Sequence, residues 1–280
     1  MTRIAVLGAG TMGHGIAYAA TAAGFETRMF DVSEDSLQKG LAAIETVTRK
    51  GVDVGAVSVS AANEMRTRLV ATSSLAMALD GVDFVIEAAP ERIDLKLSLM
   101  TEIEQHAPAS AIVATNTSAL SITEMAGVMK NPSRVAGMHF FNPVHRMKLV
   151  EIVRALESSP ETLQAIEDVA RRMGKETVVV RESPGFITTR VNASIGNEAF
   201  YMLMEGVASA RDIDKALKLG LNHPMGPFEL GDLVGLDTRL SILEYLHRSM
   251  GEKYRPCPLL AQYVKAGRLG RKVGRGVYEY

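Results

Sequence analysis

Two sets of residues in this chain have the types and spacing that chemistry requires. The first is Gly8-Ala9-Gly10-Thr11-Met12-Gly13, directly after the apolar run Ile4-Ala5-Val6-Leu7 and eighteen positions before Asp31. A Gly-x-Gly-x-x-Gly turn between a strand and a small-residue helix is the fingerprint of a dinucleotide site. The first glycine makes the tight turn, the second lets the backbone approach a pyrophosphate, and the third lets the helix lie close on the sheet. The helix start offers unpaired N–H groups and the positive end of its dipole to the phosphates. Asp31 ends the next predicted strand, Glu26 to Phe30. A carboxylate there accepts hydrogen bonds from a ribose and repels a 2′-phosphate, which favours NAD over NADP. Arg28, nearby but on the opposite strand face, leaves NADP as a minor alternative.

The second set is His139 and Glu151. His139 closes a predicted strand in Met138-His139-Phe140-Phe141-Asn142-Pro143, and Glu151 interrupts the apolar Leu149-Val150-Glu151-Ile152-Val153. A carboxylate in such a run is costly to bury unless paired, and a histidine on a neighbouring strand is a natural partner. Such an acid fixes the imidazole tautomer and stabilises the imidazolium, leaving the other ring nitrogen to exchange a proton. The alternative is a satisfied core histidine beside a glutamate that faces solvent on an edge strand. Glu91, Asn116, Ser118, His139 and Asn142 all fall at or just beyond predicted strand ends, where open α/β sheets bind ligands. Ser118 is read either as a hydrogen-bond partner of a substrate oxygen or as the cap of a helix starting near Ser121.

The elements that position these residues alternate between strand and helix. Seven strands are expected: near Ile4–Leu7, Glu26–Phe30, Val82–Ala88, Ile112–Ala114, Val135–Phe141, Leu149–Val153 and Glu176–Val180. Their order with intervening helices predicts a Rossmann-type, doubly wound, mostly parallel α/β sheet. Only seven residues separate the fifth and sixth strands, too few for a parallel crossover, so that pair is expected to be antiparallel. Between Ser33 and Leu69, helical stretches over Ser33–Lys50 and Ala61–Leu69 predict a helical hairpin projecting from the sheet. Ser183-Pro184-Gly185 reads as a hinge, giving domains 1–183 and 184–280, the second all α-helical. Ile187, Val191, Ile195, Ala199 and Leu203 share one helix by spacing. Ser209, three residues before Asp212, caps another helix, and Gly220 stops it.

The chain resembles the 3-hydroxyacyl-CoA dehydrogenase family, of the short bacterial 3-hydroxybutyryl-CoA dehydrogenase type, from Ile4 to Tyr278. The resemblance rests on GAGTMGHGIA, VIEAAPERIDLK, ATNTSALSIT, GMHFFNPVHRMKLVEIV, SPGF, LGLNHPMGPFELGDLVGLD and GRLGRKVGRGVY; HFFNP followed by KLVE is its most specific part. It implies NAD-dependent, reversible oxidation of (S)-3-hydroxybutanoyl-CoA to acetoacetyl-CoA, with the acyl chain entering between the two domains. It implies His139 as general base, Glu151 as its orienting acid and Ser118 as ligand of the 3-oxygen. Glu91 and Lys96 would lie near the nicotinamide, Asn116 and Asn142 at the reaction centre, and Lys272 would reach the cofactor from the second domain. The helical hairpin would grip coenzyme A, with Lys50 as a phosphate contact. A homodimer through the helical domain is also implied. Other 3-hydroxyacyl-CoA or free 3-hydroxy acid substrates, and an idle NAD-binding relative, are the alternatives. One departure stands out: where many members carry GFxxNR, this chain reads Gly185-Phe186-Ile187-Thr188-Thr189-Arg190. Thr189 replaces an amide, and Asn192, a helical turn later, is a candidate substitute.

The remaining composition narrows the setting. A net charge of −1 over 280 residues argues against a nucleic-acid partner held by bulk electrostatics. The single cysteine, Cys257, excludes an intrachain disulfide and fits a reducing compartment. No apolar run reaches the roughly twenty residues that span a bilayer, and the immediate start on a core strand leaves no room for a cleavable signal. The expected location is the cytoplasm, and no metal site is expected. Lys265, Arg268, Arg271, Lys272 and Arg275 place five positive charges in eleven residues. They read as a solvated face or as a rim attracting a polyphosphate ligand.

Overall fold

The computed structural model describes residues 3–280. Contacts divide the chain into two compact units, one up to Glu182 and one from Ser183 to Tyr280.

The first unit contains β1 (Arg3–Leu7), α1 (Thr11–Ala22), β2 (Glu26–Phe30), α2 (Glu34–Asp53), α3 (Val59–Arg68), β3 (Leu69–Thr72), α4 (Leu75–Leu79) and β4 (Phe84–Glu87). It continues with α5 (Ile93–His106), β5 (Ile112–Thr115), α6 (Ile122–Ala126), β6 (Val135–Phe140), β7 (Leu149–Arg154), α7 (Pro160–Arg172) and β8 (Glu176–Arg181). The eight strands form one sheet in the order β3-β2-β1-β4-β5-β6-β7-β8. All neighbours pair parallel except β6 with β7, which pair antiparallel as the short connection requires. The central strands β4 and β6 are buried at every position, which explains their unbroken apolar reading. Ile4, Val6, Ile86, Ala114, Met138 and Ile152 join Ile16 and Ala20 of α1 and Ile166 of α7 in the core.

Among the described residues eight strands, not the seven expected, make the sheet. The extra one, β3, is four residues long, follows α3 without a break and forms one edge. The expected helix to Leu69 therefore stops one residue earlier, and Leu69 begins the strand. The helical insertion is present as α2 and α3, with Ser33 and Ser58 capping their starts. Its proximal part does not simply project: Leu37, Gly40 and Ile44 of α2 are buried, and both helices contact α1. Gly40 allows that approach, since a Cβ there would lie 2.9 Å from the Ala9 carbonyl oxygen.

The second unit is helical: α8 (Thr188–Met204), α9 (Ala210–Gly220), α10 (Pro227–Val234), α11 (Leu236–Met250) and α12 (Pro258–Lys265). Phe200, Phe228, Leu236, Leu243, Leu246, Tyr254 and Leu260 build its core. Two buried aspartates organise it. Asp214 accepts the N–H groups of Phe228 and Glu229 at the start of α10 and the Tyr278 hydroxyl at 2.8 Å; burial pushes its carboxyl above the usual range. Asp232 accepts the N–H groups of Val277 and Tyr278, fixing the C-terminal tail. Along α8, periodicity identified the helix but not its covered side: Ile187 and Val191 are 51% and 55% exposed, whereas Ala199 is buried. Among the described residues no helix is long and apolar enough to cross a membrane.

Candidate active site

The switch point of the sheet lies between β1 and β4, and the glycine turn sits there. Gly8 has φ +111°, and a Cβ on it would come within 2.6 Å of the Ala88 carbonyl oxygen just beyond β4. A Cβ on Gly13 would lie 1.8 Å from the Gly8 carbonyl oxygen, so α1 packs against the turn only with glycine there. Gly10 differs: a Cβ on it would meet nothing within 4 Å. Open space above Gly10, at the uncapped start of α1, is the cradle that a pyrophosphate would fill. Ala9 is buried, Thr11 is exposed and Met12 is half-buried. Asp31 closes the turn from the end of β2. Its Oδ2 accepts the Ala9 N–H at 2.9 Å and its Oδ1 the Ser33 N–H at 3.0 Å. Arg28 is turned elsewhere, donating to the carbonyls of Met77 and Asp80 around α4. The residues present fit NAD: open space at the glycine turn, an uncapped helix start and, at the end of β2, a carboxylate whose neighbouring arginine is engaged elsewhere.

Beyond β4 and β5 lies a polar cluster that sequence reasoning found only in part. Glu87, the last residue of β4, is fully buried and is not among the residues singled out from the sequence. Its carboxylate accepts both bonds from the Lys96 ammonium (2.7 and 2.8 Å), the Thr115 hydroxyl (2.6 Å) and the Ala89 N–H (2.6 Å). Lys96 is 1% exposed and also lies 3.6 Å from Glu91. So many charge-assisted bonds are what makes a buried ion pair tolerable. Glu91 in turn accepts the Thr117 hydroxyl at 2.6 Å and the N–H groups of Ser118 at 2.8 Å and Ala119 at 3.2 Å. Glu91 thus fixes the backbone that carries Ser118. The capping role weighed for Ser118 belongs to Ser121, whose hydroxyl accepts the Glu124 N–H at the start of α6. Thr115 and Thr117 were also missed. The signal for Glu87 was available, because it ends an apolar run as Glu151 interrupts one.

His139 and Glu151 face each other directly across the antiparallel β6–β7 pair. His139 Nδ1 and Glu151 Oε2 are 2.7 Å apart; Glu151 is fully buried and His139 is 4% exposed. Glu151 therefore does not face solvent, and β7 is not an edge strand, because β8 covers it. A carboxylate on Nδ1 sets the tautomer and supports positive charge on the ring, directing proton exchange to Nε2. The Phe141 ring lies 4.6 Å from the imidazole, centroid to centroid. Asn116 Oδ1 accepts the Phe140 N–H at 2.9 Å and so fixes the end of β6. Asn142 lines a cavity of ≈ 50 Å³ with Thr11, His14, Tyr18 and His145, which brings the loop after His139 to the start of α1. Burial, then the charges of Arg146, Lys175 and His14, hold His145 below the usual imidazole range.

The glycine turn, Asp31, Glu91, Asn116, Ser118 and Asn142 thus lie at or beyond the carboxyl ends of β1, β2 and β4–β6, with Lys96 on α5 held to Glu87 and the His139–Glu151 pair in the last part of the β6–β7 ladder. Lys50 does not join them; it is exposed in the last turn of α2, roughly 25 Å along the axis from the helix start. Thr189 and Asn192 are half-buried on α8, in the second unit. Lys272 pairs there with Asp237, at 2.6 and 2.7 Å. Burial opposes the Asp237 charge, but Lys272 and the Thr238 N–H outweigh it and hold the carboxyl below its usual range. The remaining basic tail is largely tied down: Arg268 donates to the Gly276 carbonyl, Arg271 lies over Tyr280, and Arg275 pairs with Glu279.

Comparison with known proteins identifies the family. Residues 3–183 match the 3-hydroxyacyl-CoA dehydrogenase NAD-binding domain, and residues 185–280 match the 3-hydroxyacyl-CoA dehydrogenase C-terminal domain. A probable 3-hydroxybutyryl-CoA dehydrogenase of Bacillus subtilis is 46% identical over 279 residues, covering 99% of this chain and 97% of that protein. The 3-hydroxybutyryl-CoA dehydrogenase of Bradyrhizobium diazoefficiens is 43% identical, covering 99% of this chain and 95% of its own length. The crystal structure of (S)-3-hydroxybutyryl-CoA dehydrogenase from Ralstonia eutropha superimposes with a TM-score of 0.95 at 41% identity, covering 100% of this chain and 99% of that one. The chain therefore belongs to the 3-hydroxyacyl-CoA dehydrogenase family of NAD-dependent oxidoreductases.

Proposed function

We propose that the protein interconverts (S)-3-hydroxybutanoyl-CoA and acetoacetyl-CoA, with His139 as the group that takes and returns the hydroxyl proton. The observation that carries this reading is the buried His139–Glu151 pair, at 2.7 Å, on the same side of the sheet as the dinucleotide turn. In the oxidative direction His139 Nε2 accepts the proton of the 3-hydroxyl as C3 gives up its hydride. Bound NAD supplies the hydride acceptor. Glu151 stabilises the imidazolium so formed, and a base placed this way is worth roughly 10²–10⁴-fold. Ser118, on a backbone fixed by Glu91, donates to the 3-oxygen and orients C3. Asn142 and Asn116 hold the loop and strand end around the reacting atoms, while Lys96 and Glu91 border the nicotinamide end. The names of the relatives reported above support the C4 acyl-CoA as substrate.

In the same reading the enzyme works in the cytoplasm as a homodimer. Leu219 and Leu221, 77% and 67% exposed at the end of α9, give the helical unit apolar surface suited to a second copy. The direct test is NADH absorbance on mixing the purified protein with acetoacetyl-CoA, beside acetoacetate and NADPH controls. Loss of NADH that requires the thioester supports the reading. Equal turnover of free acetoacetate, or preference for NADPH, contradicts it.

A further inference from the structure

We propose that Lys175 is a positioning residue whose ammonium clamps the loop between His139 and β7 through the carbonyl oxygens of Val144 and Met147. The inference rests on the roles given above to His139 and Asn142, which flank that loop's beginning.

Local structure delivers Lys175 to this place. The α7 helix ends at Arg172 with Met173 as its C-cap, Gly174 turns the chain with φ +72°, and the Lys175 N–H donates back to the Ala170 carbonyl. The Glu176 N–H then bonds the Lys148 carbonyl, and β8 pairs with β7 from Leu149 opposite Glu176. Lys175 therefore stands beside the loop that enters β7. Its Nζ donates to the Val144 carbonyl at 2.5 Å and the Met147 carbonyl at 2.8 Å.

The setting is costly for a cation. Lys175 is 8% exposed, and among the described residues no carboxylate lies within ion-pair distance of it. Burial pushes its ammonium below the usual lysine range. An apolar side chain would fill the same space without that penalty. What an apolar side chain lacks is a set of directed donors, and here the donors converge on one loop.

The loop is built to pass on that constraint. The N–H groups of Arg146 and Met147 both bond the Pro143 carbonyl at 3.0 Å, closing a tight turn. Val144 is buried against α1, where a Cβ on Gly15 would lie 2.9 Å from its Cγ2. Asn142 lines the small cavity shared with Thr11 and His14. The clamp at Val144 and Met147 thus fixes Asn142 relative to the start of α1 and to His139, three residues before it. Sub-ångström errors at such a centre are expensive, about a hundredfold for a displacement near 1 Å.

The test uses Lys175→Met, which keeps length and removes the donors, and Lys175→Ala with and without added propylammonium. Three readouts are taken: kcat with acetoacetyl-CoA, the NADH dissociation constant, and hydrogen exchange at the Arg146 and Met147 amides. The expected result is a kcat about tenfold to a hundredfold lower, unchanged NADH affinity, faster exchange at both amides, and partial recovery of Lys175→Ala by propylammonium. Native kcat in a folded Lys175→Met, or unchanged amide exchange, would overturn the proposal. If neither variant folds, Val144→Ala loosens the same loop from α1; lowered kcat with retained NADH affinity supports the clamp, and native kcat overturns it. The exchange measurement needs no substrate. Failure of the wild type to reduce acetoacetyl-CoA would therefore sink the functional reading while leaving the clamp separately tested.

Discussion

Replacing Glu151 by glutamine separates charge from geometry in the buried pair. The amide is nearly isosteric, and its oxygen can still accept the Nδ1 hydrogen, so the tautomer survives. The negative charge does not. At the observed 2.7 Å, opposite unit charges attract by roughly 6 kcal/mol for an effective dielectric of 20. Solvent screening offers little relief, because Glu151 is fully buried and His139 nearly so. Breaking a buried pair by deleting one charge costs about 3–5 kcal/mol, and the neutral hydrogen bond that remains recovers about 1 kcal/mol. A net loss of about 2–4 kcal/mol then falls on the state containing the imidazolium. That corresponds to a kcat lower by roughly 30- to 1,000-fold. The assay is NADH formation from saturating (S)-3-hydroxybutanoyl-CoA and NAD, the direction in which the ring gains charge. NADH affinity, read by fluorescence titration, stays native. A Glu151→Gln enzyme with native kcat would refute the claim that this carboxylate supports charge developing on His139.

Four further substitutions test other features of the structure. Gly10→Ala meets no atom within 4 Å whereas Gly13→Ala meets a carbonyl at 1.8 Å; the first should fold normally yet bind NADH poorly, and the second should lose stability in urea titration. Ser118 makes no side-chain hydrogen bond within the described residues, so Ser118→Ala should keep the wild-type Tm while losing roughly 10²-fold in kcat; a lowered Tm with intact kcat would restore a structural role. The Arg239 side chain belongs to a residue only 7% exposed, makes no hydrogen bond or ion pair to a protein group among the described residues, and has its guanidinium pushed down to about 10 by burial. Arg239→Met should therefore stabilise the protein by about 1–3 kcal/mol in denaturant melts; destabilisation would reveal an acceptor that the isolated chain does not supply.

Much of this was legible before any coordinates because the informative residues sit where local rules dominate. The glycine turn declares itself by residue types spaced within six positions, and the β6–β7 pairing by a connection too short for a crossover. Glu151 stood out against apolar neighbours on both sides. Glu87 carries the same signal inside the predicted strand Val82–Ala88, but its partner Lys96 lies nine residues on in a different element. The edge strand β3 was hidden because Leu69-Val70-Ala71-Thr72 continues α3 without a turn residue between them. Ser118 and Ser121 are equivalent cap candidates in sequence; only the path fixed by Glu91 separates them. Lys175 follows an amphipathic helix and a glycine, the place where a lysine ordinarily faces water. Its burial depends on a loop some thirty residues earlier, and periodicity carries no trace of it.

The most direct test of the account is the His139→Gln enzyme, assayed for NADH formation from (S)-3-hydroxybutanoyl-CoA and, in parallel, for NADH binding. The account predicts turnover lower by roughly 10²–10⁴-fold with native NADH affinity and a native circular dichroism spectrum. Native turnover would remove His139 from the chemistry, and loss of NADH binding together with the fold would make it a structural histidine.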